Sequence, residues 1–277
     1  MMEPNLAFLT HRPQSPGEFT FAFCTRLIGD QNIAANKTVG GGNSFEFPLY
    51  LYPDPNKSLW ESQEQPSTAP GGRKPNLNPQ FIAQMSERLG LRWLPDGRGD
   101  RVATFGPEDV FSYIYAIFHA PSYRARYADF LKSDFPRVPL TGNRALFREL
   151  AGLGDRLVAL HLLEADGEAS GWPGFPVPGD DTVAQVRYVA PDPASGRKGR
   201  VYINPTQYFD GVDPETWEFH IGGYQVAEKW LKDRKERKLS YDDKQHYQRT
   251  LAALAETATL MARVDEVIEE AGGWPLG

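Results

Sequence analysis

A chain of 277 residues, 40% hydrophobic and 12% aromatic, is long enough to bury a sizeable core as one large domain or two small ones. Its net charge of −6 and pI near 5.5 exclude a protein that coats nucleic acid through bulk positive charge, so any contact with a polyanion must be local. The sequence has no apolar run of the roughly 18 residues a membrane span needs and no basic stretch leading into an apolar segment at its N-terminus, so it predicts no membrane association and a cytoplasmic location.

Taken in chain order, Thr20 to Ile28 reads as a strand with Phe21, Phe23, Thr25 and Leu27 on one face, and its single cysteine, Cys24, reads as a buried inert thiol. Phe45 to Tyr52 repeats the pattern with Phe45, Phe47, Leu49 and Leu51. Between them Asn32 to Ser44 carries Asn36, Lys37 and Thr38 before three glycines, a polar loop able to bring its backbone close to a ligand. Pro53 to Pro79 is rich in Pro, Ser, Asn and Gly and reads as a long surface excursion or a partly disordered stretch. Pro107 suits a first helical position, and Val110, Phe111, Ile114, Ile117 and Phe118 form an apolar stripe behind it. A second helix opens at Pro121, with Tyr127, Phe130 and Leu131 expected inside and Arg124 and Arg126 elsewhere. A third is expected from about Asn143 to Leu163.

Beyond the Gly- and Pro-rich stretch from Gly167 to Asp180, Val183 to Val189 and Arg200 to Asn204 flank a Pro-Asp-Pro-Ala-Ser-Gly turn, the pattern of two antiparallel strands. Trp217 to Ile221 reads as a further strand. Gly222 and Gly223 then break the chain ahead of a basic helix from Tyr224, whose stretch to Lys238 holds six Lys/Arg against three acids. Ser240 with Asp243 signals a capping box. Tyr247, Leu251, Leu254, Ala258, Met261 and Ile268 then continue at helical spacing until Gly272 and Gly273. Grouped rather than alternating elements predict an α+β fold with mixed or antiparallel strands, a helical cluster and a long C-terminal helix. A single domain over 1–277 is expected, with a strand-rich part (1–105), a helical cluster (106–165) and a part holding the hairpin, basic helix and long helix (180–277).

No catalytic pattern emerges. Asn204-Pro205-Thr206-Gln207 shares only two letters with the base-gripping element of amino-methyltransferases. The Gly40 to Gly42 run lacks the Lys-Ser/Thr of a phosphate-binding loop. Asp192 and Glu236-Arg237-Lys238 are too far apart for a metal-dependent nuclease, and the five histidines show no zinc spacing. His161, on an apolar stripe, is expected to be a satisfied core residue. Neither a catalytic residue nor a metal or cofactor is expected on this chain.

Several stretches do form a pattern together: Asn5 to Thr10 with Arg12, Phe47 to Tyr52, Tyr113 to Ala116 leading to His119 to Arg124, Phe130 to Lys132 with Asp134 to Arg137, and Leu160 to Leu163. The most specific is Trp217-Glu218-Phe219-His220-Ile221-Gly222-Gly223-Tyr224-Gln225, followed by Lys229 to Lys235 and by Leu239-Ser240. In order and over nearly the whole chain these resemble the C-terminal specificity domain of Type ISP, single-polypeptide Type I, restriction-modification enzymes. The resemblance implies a DNA target recognition domain that serves an N6-adenine methyltransferase and a coupled helicase and nuclease in the same polypeptide, which use S-adenosylmethionine, ATP and Mg. It further implies an excised fragment or a truncated gene product, because the upstream domains are missing from this sequence. The expected partners are double-stranded DNA and those parent domains, with no membrane. A protein-interaction module docking through the Ser240 to Glu270 helix is the alternative.

A recognition domain needs Arg, Lys, Asn and Gln at groove edges and other cations on phosphates. The candidates are Asn36, Lys37 and Thr38 on the glycine loop, Tyr123, Arg124 and Arg126 on the helix opened by Pro121, and Tyr224, Gln225, Lys229, Lys232, Arg234 and Lys235 after the Gly222-Gly223 break. That break would set the free amides of a helix N-terminus beside the duplex. The bland reading of each stands alongside: Tyr rings that pack at helix starts, and surface cations held in ion pairs.

Overall fold

A computed structural model describes residues 4–11, 22–27, 44–53, 67–165, 171–221 and 223–277. The chain divides into two compact units, Met1–Val158 with Met261–Gly277, and Ala159–Leu260.

In the first unit the N-terminal strand patterns pair as a three-stranded antiparallel sheet of β1 (Ala7–His11), β2 (Phe23–Thr25) and β3 (Ser44–Pro48), in the order β2-β1-β3. The expected single strand from Phe45 to Tyr52 is broken. Leu49 turns inward, with its N–H on the Leu6 carbonyl, and Tyr50 and Leu51 form β4 (Tyr50–Leu51), which pairs with β5 (Lys74–Pro75). Phe45, Phe47 and Leu51 are therefore exposed and do not share a buried face with Leu49. Leu27, the last residue on the apolar face of the first strand pattern, is also exposed. Asn5 fixes this corner by bonding both backbone groups of Tyr50 through its side-chain amide.

A helix not expected from the sequence follows, α1 (Pro79–Leu89). Asn78 caps it by accepting from the Gln80 N–H, and Gly90 closes it in the left-handed region at φ 59°. The parallel pair β6 (Arg92–Trp93) and β7 (Thr104–Phe105) leads to α2 (Pro107–His119), whose Pro107 start is the expected one. Next come α3 (Pro121–Arg126), α4 (Ala128–Leu131) and α5 (Arg144–His161). Phe130 is 74% exposed, because the chain breaks at Tyr127 and turns the ring outward, contrary to its expected burial. Phe105, Val110, Tyr113, Ile117, Phe147 and Leu150 form the centre of this unit's core.

The second unit is built on a three-stranded antiparallel sheet, β8 (Arg187–Val189), β9 (Arg200–Tyr202) and β10 (Tyr208–Asp210), in the order β10-β9-β8. The hairpin between β8 and β9 has the expected turn, but β8 begins only at Arg187, and β10 was not legible as a strand. Trp217 closes the short helix α6 (Pro214–Trp217) and is not in a strand; only β11 (His220–Ile221) pairs with β12 (Tyr224–Gln225). The basic helix is shorter than expected, α7 (Val226–Lys232), because Tyr224 and Gln225 belong to the hairpin and turns begin at Asp233.

The last helix, α8 (Tyr241–Glu270), has the expected capping box: the Asp243 N–H donates to Ser240 Oγ at 3.0 Å and the Ser240 N–H to the Asp243 carboxylate at 3.0 Å. Its residues up to Leu260 belong to the second unit, where Tyr247 and Leu251 pack with Val201, Phe209 and Leu231. Val264, Val267 and Ile268 lie in the core of the first. The described residues thus form an α+β fold of small sheets and eight α-helices, the last of them the long C-terminal helix.

Candidate functional site

Two-residue alternation decides what the β8–β10 sheet presents. Val201 and Phe209 are buried on its inner face. Tyr188 joins them there, stacked on Trp217 at 5.3 Å with its hydroxyl on the Val212 carbonyl, and burial pushes that hydroxyl's pKa up to about 12. The outer face holds two cross-strand rows set by register, Arg187–Tyr202–Tyr208 and Val189–Arg200–Asp210. Within them the Tyr202 and Tyr208 rings lie 5.0 Å apart. The Arg187 guanidinium sits 4.4 Å over Tyr202 and that of Arg200 4.2 Å over Tyr208. Arg200 also donates to Asp210 at 2.8 Å, whereas Arg187 is exposed and pairs with no carboxylate among the described residues.

The hairpin tip adds charge next to this face. Asp192 accepts from Ser195 and from the Ala194 N–H, which hold its carboxyl below its ordinary value and shape the turn. Lys198 is exposed. Gly199 is tight, since a Cβ there would run into the Val212 carbonyl and the inward Tyr188 hydroxyl. With Gly199 facing in, alternation puts Lys198 on the outer side with Arg200 and Tyr202. An open depression of about 390 Å³ lies beside the tip, with Asp192, Arg197, Lys198 and Asp213 among its lining.

The α7 region is more nearly neutral than its composition suggests. Lys229 pairs with Asp233 at 2.6 Å and Lys232 with Glu228 at 2.7 Å, both at i,i+4 spacing. Arg234 lies flat over Trp230 at 3.6 Å with Asp243 at 3.6 Å. Gln225 is spent on the Trp217 carbonyl. Tyr224 is exposed with Lys229 5.6 Å over its ring. Lys235, with Arg237 and Lys238 in the connection to α8, is exposed and has no acidic partner within ion-pair distance among the described residues. The second unit therefore carries two sets of exposed basic side chains without an ion pair among the described residues, Arg187 and Lys198 by the sheet and Lys235, Arg237 and Lys238 after α7, of which Arg237 and Lys238 still act at longer range on Asp243 and Asp181.

In the first unit the sequence-based candidates separate. Tyr123 is a core residue, in ring contact with Phe118 and Trp274 and with its hydroxyl on the Arg137 carbonyl, so it is no surface contact as expected. Arg124 turns back to cap the Phe118 carbonyl, while Arg126 is exposed at the end of α3. Asn36, Lys37 and Thr38 lie outside the described residues. Asn204 to Gln207 is a turn linking β9 to β10 with Asn204 and Gln207 buried and Pro205 and Thr206 exposed, and Asn204 Oδ1 accepts from the Thr206 and Gln207 N–H groups. His161, expected in the core, is exposed and shares a hydrogen bond with Thr257 Oγ1. Among the described residues no three His, Cys, Asp or Glu side chains gather as a metal site, and no helix is long and apolar enough to cross a membrane.

The family model of the Type ISP C-terminal specificity domain matches residues 1–263. No curated protein matches the sequence. Among solved structures, the chain is similar to the ATP-dependent Type ISP restriction-modification enzyme LlaBIII bound to DNA, with a TM-score of 0.61 and 16% identity, covering 100% of this chain and 16% of that one. A nuclease-deletion mutant of the Type ISP enzyme LlaGI in complex with a DNA substrate mimic gives 0.57 and 17%, over 99% of this chain and 22% of that one. A DrdV–DNA complex gives 0.58 and 20%, over 94% and 24%. At these identities the likeness is one of fold. The chain spans less than a quarter of the length of each.

Proposed function

The chain belongs to the Type ISP C-terminal specificity domain family, and from that premise we propose that it recognises a target sequence in duplex DNA. In this reading it holds that target for an N6-adenine methyltransferase, with its coupled helicase and nuclease, elsewhere in a longer polypeptide. S-adenosylmethionine, ATP and Mg serve those other domains, while this chain supplies recognition. The observation that carries the reading is the family match over residues 1–263. Support comes from three similar folds captured with DNA or a DNA mimic. The charge distribution agrees with it: a chain of net charge −6 keeps uncompensated cations on exposed parts of one unit, as local backbone contact requires.

The test is binding of the 277-residue chain to a short labelled duplex across a salt series. Affinity that falls linearly in log–log form with rising salt is the expected result. Absence of binding at low salt, or binding indifferent to salt, would turn the assignment toward a protein-interaction module.

A further inference from the structure

Several cations of the second unit are neutralised within the fold. Lys229, Lys232, Arg200 and Lys244 each have a carboxylate within 2.8 Å, and Arg234 has one at 3.6 Å. Arg187 and Lys198 have no carboxylate partner among the described residues, and they stand on a sheet face whose side chains form regular cross-strand rows. A guanidinium stacked 4.4 Å over a tyrosine ring gives up part of its rotamer freedom before any ligand arrives. The ring engages the face of the guanidinium and leaves its N–H edge to donate. Tyr202 is itself backed by Tyr208 at 5.0 Å, and Tyr208 is covered by Arg200 at 4.2 Å, so the Arg187 platform rests on a packed row. Fixed planar donors of this kind suit the tetrahedral oxygens of a phosphate.

We infer that the outer face of the β8–β10 sheet is a phosphate-contacting surface for the backbone of duplex DNA, with Arg187 and Lys198 as the donors and the Tyr202–Tyr208 pair positioning Arg187. This rests on the DNA-recognition reading above and adds to it where the backbone lies on the second unit. Asp210 has a defined part. It holds Arg200 in an internal pair, which makes Arg200 a support for the Tyr208 ring and not a donor to DNA.

The experiment compares the parent chain with Arg187→Ala, Lys198→Ala, their double variant, Arg187→Lys and Lys232→Ala, using a random-sequence duplex over a salt series. Each true phosphate contact removed should lower the slope of log affinity against log salt by about 0.9, so the double variant should lose about twice that. Arg187→Lys should keep the slope, and Lys232→Ala, already paired with Glu228, should behave as the parent. The replaced side chains are exposed, and an unchanged melting transition confirms that the variants fold. If the parent binds with a steep slope and the double variant matches it, the sheet face is not the contact surface although the DNA reading stands. If the parent itself shows no salt-dependent binding, both fail together. Loss of binding to an acidic peptide, with DNA binding intact, would assign the face to an acidic protein instead.

Discussion

Asp109 offers a sharp test of how the first unit is held together. The helix α2 follows the segment Gly97 to Gly106, whose one fully buried apolar side chain is Phe105 at its end. Asp100 ties its middle by accepting from the Val102, Ala103 and Thr104 N–H groups, and its two ends are joined by one fully buried carboxylate, Asp109, which accepts from the Gly99 N–H at 2.6 Å, the Gly106 N–H at 2.9 Å and Arg101 Nε at 2.6 Å. Arg101, held at φ 57°, reaches on to Asp155 on α5, to which Ser112 of α2 also donates. Replacing Asp109 by Ala strands two backbone donors, each costing about 1–3 kcal/mol when buried without a partner. It also breaks a buried ion pair, a loss of about 3–5 kcal/mol. These figures overlap, so the expected destabilisation is about 3–5 kcal/mol. For a domain of this size that lowers the melting temperature by roughly 6–20 °C. Asp109→Asn keeps the shape and one acceptor oxygen and should lose less. Differential scanning calorimetry with urea titration reads both, and the transition of the unit containing α2 should be the one that moves. If the Ala variant unfolds within about 1 kcal/mol of the parent, the carboxylate is not what organises this loop.

Gly154 on α5 faces the Ser112 backbone of α2 so closely that a Cβ would collide with its carbonyl. Gly154→Ala should therefore cost at least about 1–3 kcal/mol in urea unfolding even though alanine favours helix. Removing the capping box of α8 with Ser240→Ala should cost about 1 kcal/mol, with the loss confined to the transition of the second unit. The same unit should be acid-sensitive. The Ser240 N–H and hydroxyl hold Asp243 below its ordinary value of 3.8. Asp181 is also lowered: burial pushes it up, but Lys244 and Gln207 outweigh that. A lowered folded pKa means stabilisation that is complete above the ordinary carboxylate range and lost as pH falls through the depressed values, so urea midpoints should drop below about pH 4. The Asp243→Asn variant should flatten that dependence. Finally, Tyr123→Phe should cost about 1 kcal/mol through its lost bond to the Arg137 carbonyl and leave DNA affinity unchanged, because the ring is in the core.

Legibility in the sequence followed the range of the interactions. Helix ends governed by contacts three or four residues away were readable: Pro107 opening α2, Ser240 with Asp243 opening α8, and Gly272 and Gly273 after its end. The β8–β9 turn was readable because its Pro, Asp and Gly act locally. The helix α1 was missed, although Asn78-Pro79 is a cap followed by an N1 proline and Phe81, Ile82, Met85 and Leu89 recur at helical spacing, because it directly follows the Pro- and Gly-rich stretch that reads as a surface excursion. The strand β10 spans three residues after a side-chain-built turn, too short for a period to show.

The same reasoning explains the site. The Lys/Arg-rich stretch after Tyr224 reads as a basic surface, yet its i,i+4 spacing from Glu228 to Lys232 and from Lys229 to Asp233 already predicts self-neutralisation. Arg187, Tyr202 and Tyr208 are scattered along the sequence and meet only through strand register. The local signal was slight: Arg200 and Tyr202 two apart, then Tyr208 and Asp210 two apart, the spacing that puts side chains on one face of a sheet. Tyr123, in turn, looked like a surface contact because it follows a helix-opening proline, but that position faces the core formed with Trp274 from the far end of the chain.

The most direct test of the central claim is selection from a random duplex pool: the 277-residue chain is incubated with the pool at low salt, and the bound fraction is sequenced. Enrichment of a single motif is the predicted result and would give the target sequence. Uniform retention of all sequences, or none, would contradict a recognition role residing in this chain.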